Sequence, residues 1–131
     1  MSKTRDGKPD RRALVVEDYE PNAIVAVTYL QELGYASDLA VSGEEALEKI
    51  NANSYAVILM DVQLPGIDGM EVTRRVRAAE AAAGKTPLPV LALTARATDD
   101  DRILCLKAGM NDCLSKPFLL ADLERKLASL L

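Results

Sequence analysis

The stretch at residues 56–66 is AVILMDVQLPG, an apolar run that ends in an acid and a Pro-Gly turn. A hydrophobic run of about five residues closed in this way is typical of a buried parallel strand. Asp61 directly follows the apolar residues of this run, and open α/β folds place their functional groups at the carboxyl ends of parallel strands. The stretch therefore predicts a functional carboxylate at one edge of a buried sheet.

Three other apolar runs are also followed directly by polar side chains. These side chains, in chain order, are Glu17 and Asp18 after residues 13–16, Thr94 after residues 89–93 and Lys116 after residues 113–115. If the strands are parallel, their carboxyl ends meet at the same edge. Three carboxylates, a hydroxyl and an ammonium would then converge. Oxygen ligands and a cation of this kind favour a magnesium and phosphoryl site.

Strand and helix patterns alternate along the whole chain. The predicted strands are residues 13–17, 35–41, 56–60, 89–93 and 112–115. Helix starts are indicated by Ser42, Asp68 and Thr98, whose spacing to later acids is typical of N-terminal caps. The strands do not alternate in polarity, which favours a parallel sheet with helices on both faces. We expect one α/β domain, a doubly wound (βα)5 sheet of order 2-1-3-4-5 as in flavodoxin-like folds.

Composition places the chain among globular proteins. It has 131 residues, 49% of them hydrophobic, which suits one domain with a single core. No apolar run approaches the roughly 18 residues of a membrane span, and the N-terminus lacks a signal-peptide pattern, so we expect a cytoplasmic protein without membrane contact. Cys105 and Cys113 are the two cysteines, and we expect both to be buried, reduced thiols.

Charge and the lack of histidine exclude several function classes. The net charge is −4, but residues 1–12 carry five basic and two acidic side chains, so the remainder carries −7. We interpret residues 1–12 as a flexible basic segment and 13–131 as the domain, whose acidity argues against nucleic-acid binding. Without histidine, the chain has no Ser-His-Asp or Cys-His pair, no His-ligated zinc and no phosphohistidine of its own.

Four motifs, taken in chain order, resemble the receiver domain of response regulators in two-component signalling. They are VVED at residues 15–18, LMDVQLPGIDG at 59–69, LTA at 93–95 and AGMNDCLSKPF at 108–118. The resemblance covers roughly residues 13–131. The sequence around Asp61 and Lys116 is most similar to that of receivers of hybrid sensor histidine kinases.

The resemblance implies a phosphorylated switch rather than a turnover enzyme. Asp61 would accept a phosphoryl group from the phosphohistidine of a histidine kinase or a histidine-phosphotransfer protein, with Mg²⁺ as the cofactor. The implied metal ligands are Asp18, Asp61 and the Gln63 backbone carbonyl, with Glu17 acting through a metal-bound water. Lys116 and Thr94 would contact phosphoryl oxygens, and Ala95 is a further residue expected at the cofactor-binding site. A downstream protein would bind the face made by helix 4, strand 5 and helix 5. The chain would be a stand-alone regulator or a module of a larger kinase.

One residue departs from the family pattern. Receivers usually have Tyr or Phe three positions before the lysine, where the ring swings inward together with the threonine. Cys113 occupies that position here, and a thiol cannot act as an aromatic gate. Gln63 and Arg96 stand at positions that tune the lifetime of the acyl phosphate in the family.

Two other functions stay open at this point. A haloacid-dehalogenase-type phosphatase also uses a strand-end aspartate with Mg²⁺, but it needs a second acid two residues later, where this chain has Gln63, which does not titrate. A phosphorylation-independent interaction module could use the same fold. Such a module would be expected to lose acids or the lysine, and all of them are present.

Overall fold

The computed structural model describes residues 11–131, in which five strands alternate with five helices. The strands are β1 (Arg12–Val16), β2 (Ala36–Ala40), β3 (Val57–Asp61), β4 (Val90–Thr94) and β5 (Asp112–Ser115). The helices are α1 (Glu20–Glu32), α2 (Gly43–Ala52), α3 (Gly69–Ala83), α4 (Asp99–Lys107) and α5 (Leu120–Leu130). Of the basic segment predicted at residues 1–12, residues 1–10 lie outside the described residues, and Arg12 is part of β1.

All five strands form one parallel sheet in the order β2-β1-β3-β4-β5, which confirms the predicted topology. One apolar cluster joins the sheet to α2, α3 and α4, and a second joins its other face to α1 and α5. Every residue of β3 is buried, as expected for a central strand with helices on both sides. The ends of β1 and β3 therefore lie side by side where the strand order reverses.

Most strand boundaries differ from the predicted ones by one residue. The third strand includes Asp61, which pairs with Leu93 of β4, whereas the apolar pattern ended at Met60. The fourth strand likewise begins one residue later and includes Thr94. The difference arises because a strand ends where its hydrogen-bonded ladder ends, and hydropathy does not report hydrogen bonds.

The three predicted helix caps are confirmed. Ser42, Asp68 and Thr98 each accept a hydrogen bond from the backbone N–H three residues later, at 3.1, 2.9 and 3.2 Å. Each bond satisfies a donor that the first turn of a helix leaves unpaired. The caps thus determine where α2, α3 and α4 begin, beside the carboxyl edge of the sheet.

Gly69 allows α3 to begin directly against the end of β3. A Cβ at this position would collide with the backbone carbonyl oxygen of Asp61. The Gly69 N–H donates to the Val62 carbonyl at 3.0 Å, and the fully buried Thr73 hydroxyl donates to the Gly69 carbonyl at 2.8 Å. This close packing determines the path of the loop that follows Asp61.

A polar network centred on Arg77 holds the opposite end of the sheet. The guanidinium donates to the Gly109 carbonyl at 2.9 Å, to Asn111 Oδ1 at 3.0 Å and to Glu80 Oε1 at 2.9 Å. Asn111 Oδ1 also accepts from the Val90 N–H at 2.9 Å. The network therefore ties α3 to the start of β4 and to the turn between α4 and β5.

We expect Arg77→Met to lower the free energy of unfolding by about 2–3 kcal/mol, because the Gly109 carbonyl and the Asn111 side chain lose a charged donor. Urea denaturation followed by circular dichroism measures the effect. Arg74→Met is the matched control on the same helix, since Arg74 is exposed and pairs only with Glu71 among the described residues. Equal losses in the two variants would contradict the role assigned to the network.

Candidate functional site

The three acids predicted to meet do meet at the carboxyl edge of the sheet. One carboxylate oxygen each from Glu17, Asp18 and Asp61 lies within 4.8 Å of the others. Glu17 and Asp18 follow β1, while Asp61 ends β3, the strand hydrogen-bonded to β1. The parallel pairing of two neighbouring strands thus brings together side chains more than forty positions apart in the sequence.

The acids differ in their exposure to solvent. Glu17 is 1% exposed and Asp61 5%, whereas Asp18 is exposed. Glu17 Oε2 accepts from the Tyr19 N–H at 3.3 Å, and Asp61 Oδ1 accepts from the Gln63 N–H at 3.1 Å. The site therefore has a buried floor of two carboxylates and one carboxylate that faces the solvent.

Lys116 supplies the cation that the sequence predicted. Its ammonium lies 3.1 Å from Glu17 Oε1 and 3.3 Å from Asp61 Oδ1, and its side chain is 18% exposed. The Lys116–Pro117 peptide bond is cis, and the next residue, Phe118, packs its ring against Tyr29 with the centroids 5.9 Å apart. The Gln63 N–H donates to Asp61 Oδ1, and the ammonium forms its ion pair with the same oxygen.

Negative charge in this cluster is only partly offset. Burial raises the pKa of Glu17, and the hydrogen bond and charge of Asp61 raise it further, while Lys116 lowers it. Among the described residues, one ammonium, that of Lys116, lies against this group of three carboxylates, so the ionised cluster is under repulsion. The hard oxygen ligands, with no histidine or thiolate among them, are those that Mg²⁺ prefers. The residues present therefore fit a divalent cation.

Thr94 lies at the cleft, but its hydroxyl faces its own loop. The Oγ1 atom donates to the Arg96 carbonyl at 2.6 Å and accepts from the Arg96 N–H at 3.2 Å. Ala95 and Gln63 also line the cleft and are exposed. The structure thus places every predicted site residue around one cleft. The Thr94 hydroxyl is hydrogen-bonded to the Arg96 backbone.

Sequence reasoning missed two polar residues that line the same cleft. Asn22 reaches it from the first turn of α1, and Asp101 from the first turn of α4. Asp101 accepts a hydrogen bond from the Thr98 hydroxyl at 2.7 Å and lies 3.9 Å from Arg96. Asn22 lies four positions after Asp18, in the first turn of the helix that follows it, and this closeness in sequence was a signal that could have found it.

Cys113 is not part of the cleft. It is buried on the face covered by α2, α3 and α4, in the cluster that also contains Cys105 and Met110. Burial raises the pKa of both thiols, and both are free cysteines, as predicted. At neutral pH they are therefore protonated core side chains rather than nucleophiles.

The comparisons with known proteins agree with this architecture. The sequence model of the response regulator receiver domain matches residues 13–128. The sensor histidine kinase RcsC of Salmonella typhi is 38% identical over 126 residues, which cover 96% of this chain and 13% of RcsC. The chain thus spans about an eighth of that relative. No helix in residues 11–131 is long and apolar enough to cross a membrane.

Two solved structures are similar in both fold and sequence. One is the receiver domain of the sensor histidine kinase PA1611 from Pseudomonas aeruginosa, with a magnesium ion coordinated in its active site cleft; it is 40% identical with a TM-score of 0.79, covering 91% of this chain and 95% of that one. The other is the receiver domain of Saccharomyces cerevisiae Ssk1, crystallised with the histidine phosphotransfer protein Ypd1; it is 30% identical with a TM-score of 0.86, covering 91% and 87%.

Proposed function

Since this chain belongs to the response regulator receiver domain family, we propose that it is a phosphoacceptor in a two-component phosphorelay and that Asp61 takes the phosphoryl group. The observation that carries the proposal is the position of Asp61. Its carboxylate lies at the end of β3, almost buried, 3.3 Å from the Lys116 ammonium and within 4.8 Å of two further acids. A carboxylate held beside a cation can attack phosphorus to give an acyl phosphate.

The donor in this proposal is a phosphohistidine on another protein or domain. The 131 residues contain no histidine, so the chain does not supply it. The receiver of Ssk1 crystallises with a histidine phosphotransfer protein, and RcsC is a sensor histidine kinase, which supports a donor of either kind. The two free cysteines accord with a reducing cytoplasm, the location that we propose.

Transfer forms one bond and breaks one. An oxygen of Asp61 attacks phosphorus in line, the P–N bond to the donor imidazole breaks, and the imidazole leaves with the electron pair and gains a proton. Lys116 offsets the negative charge that the phosphoryl group adds beside Glu17. The ammonium already lies beside both acids before transfer, so a positive charge is in place where the phosphoryl group arrives.

A divalent cation would complete the charge balance. The side chains that would hold Mg²⁺ are Asp18, Asp61 and Glu17, the last through water, together with the backbone carbonyl of Gln63. Bound there, Mg²⁺ would neutralise charge on the phosphoryl oxygens. The magnesium ion in the active site cleft of PA1611 supports this assignment.

The phosphoryl group would then compete for the Thr94 hydroxyl. To reach the phosphoryl group, the Thr94 hydroxyl must give up its hydrogen bond to the Arg96 carbonyl. The loop that contains Arg96 leads into α4. Ile103, Leu104 and Leu106 of α4 are 45–51% exposed, which suits a partner-binding surface on α4, β5 and α5. With Cys113 buried in the core, the signal would pass through Thr94 and α4 without an aromatic gate.

Phosphotransfer tests the proposal directly. Radiolabelled phosphohistidine protein, mixed with this chain and Mg²⁺, should transfer its label to a product sensitive to hydroxylamine, and EDTA should stop the transfer. A chain that takes up neither a phosphoryl group nor beryllofluoride would instead be an interaction module independent of phosphorylation. Sustained hydrolysis of a generic phosphate ester would favour a phosphatase, although Gln63 offers no general acid.

A further inference from the structure

The Asn22 side chain is the one half-buried polar group of the cleft that has no partner within residues 11–131. It lines the cleft together with the acids, and it makes no hydrogen bond to any described residue. The other buried or half-buried polar side chains there are all engaged: Glu17 and Asp61 with Lys116, Thr94 with Arg96, and Asp101 with Thr98. An amide at the wall of a cleft with no protein partner keeps its two donors and its acceptor available to a ligand that enters.

The charge of the cleft indicates which ligand the amide would bind. Glu17, Asp18 and Asp61 against Lys116 leave an excess of negative charge, and an incoming phosphoryl group adds more. Asn22 is neutral, so it adds no repulsion, while its NH₂ group offers two donors to anionic oxygens. Lys116 approaches the site from β5 and Asn22 from α1, so the two would supply donors from separate elements.

We propose that Asn22 contacts the substrate in the phosphotransfer reaction, donating a hydrogen bond from its side-chain amide to an oxygen of the phosphoryl group as the group passes to Asp61. This inference rests on the proposed function, since it assigns a second donor to the same reaction. A hydrogen bond to a charged group strengthens as charge develops in the transition state, so the contact lowers the barrier rather than holding the metal.

Two substitutions separate this role from a structural one. Asn22→Ala removes the donor, and we expect kcat/KM for phosphoryl uptake to fall about tenfold with an unchanged Kd for Mg²⁺. Asn22→Asp keeps the shape and adds a carboxylate to the three of Glu17, Asp18 and Asp61, so phosphoryl uptake should fall further, by about a hundredfold, while Mg²⁺ binds several times more tightly. A change that only loosened the fold would weaken both properties together.

A comparison of two phosphoryl donors shows whether Asn22 contacts the phosphoryl group or the donor protein. Uptake is measured from a phosphohistidine protein and from acetyl phosphate, with Mg²⁺ affinity determined by fluorescence or calorimetry. A contact to the phosphoryl group lowers the rate with both donors. Loss with the protein donor alone would make Asn22 part of a docking surface and would overturn the proposal, as would wild-type rates for Asn22→Ala.

Gln31→Ala is the matched control, since it removes an exposed amide from the last turn of the same helix. It should leave uptake and Mg²⁺ affinity unchanged. The wild-type chain distinguishes a failure of the proposed function from a failure of the role of Asn22. If it takes up no phosphoryl group from either donor, the proposed function fails; if it is labelled and Asn22→Ala is labelled equally fast, only the role of Asn22 fails.

Discussion

Asp61→Asn should abolish phosphoryl uptake, lowering it by a factor on the order of 1,000 or more, while the domain stays folded. The amide oxygen is a poor nucleophile and forms no stable acyl phosphate, yet it still accepts the hydrogen bond that Asp61 Oδ1 receives from the Gln63 N–H. The buried site therefore loses its chemistry without losing its shape. Transfer of label from a phosphohistidine donor, together with intact mass, measures the loss.

The same substitution should change stability in the opposite direction. The charge of Asp61 raises the pKa of Glu17, so removing that charge relieves repulsion in the protein without Mg²⁺. We expect the free energy of unfolding in EDTA to rise by about 1–2 kcal/mol, less than the bare repulsion between two charges because the attraction to Lys116 is lost too. Urea denaturation with and without Mg²⁺ checks this.

Asp68→Asn is the control for Asp61→Asn. This substitution makes the same chemical change, from carboxylate to amide, in the adjacent loop. Asp68 caps α3, and asparagine caps a helix equally well. Uptake in Asp68→Asn should match the wild type. Labelling of Asp61→Asn at the wild-type rate would refute the assignment of the phosphoacceptor.

Lys116→Met should lower the free energy of unfolding at neutral pH by about 3–5 kcal/mol when Mg²⁺ is absent. Methionine retains most of the volume, but Glu17 and Asp61 lose the ammonium that lies 3.1 and 3.3 Å from them. The Glu17 and Asp61 side chains are only 1% and 7% exposed, so solvent screens them poorly. Added Mg²⁺ should restore much of the stability while phosphoryl uptake and signal transmission stay impaired.

The pH dependence of Lys116→Met follows from Glu17. Lys116 lowers the pKa of Glu17, which burial and Asp61 hold above its ordinary value of 4.5, so removing the lysine raises that pKa further. Between 4.5 and the raised pKa the native state binds a proton that the unfolded chain does not. The stability deficit should therefore shrink as the pH falls towards 4.5.

Lys126→Met separates this effect from the loss of an ordinary ion pair. Lys126 lies 2.9 Å from Asp112, away from the acidic cleft. Burial raises the pKa of Asp112, but hydrogen bonds from Lys126 and the Cys113 N–H, with nearby charges, outweigh it and lower the pKa below 3.8. The deficit of Lys126→Met should persist at pH 4.5 and should not respond to Mg²⁺. Equal rescue of both variants by Mg²⁺ would contradict the account of Lys116.

Much of the site could be predicted from the sequence because the site residues lie where strands end. The apolar run before Asp61 and the shorter run before Glu17 predicted neighbouring parallel strands, and their order in the sheet is confirmed. Helix starts at Ser42, Asp68 and Thr98 were predicted equally well, since a cap is a contact between residues three apart. Strand ends were less accurate because pairing with a neighbouring strand decides them.

The linear chain by itself determined the element order, the topology and the gathering of acids at one edge, because periodicity and chain connectivity carry that information. Only the tertiary structure decided which groups pair within the site. The Lys116 ammonium contacts Glu17, 99 positions away, the Thr94 hydroxyl bonds to Arg96, and Asn22 is left without a partner in residues 11–131. These outcomes depend on side-chain rotamers and on distances set by packing in three dimensions, and no local pattern encodes them.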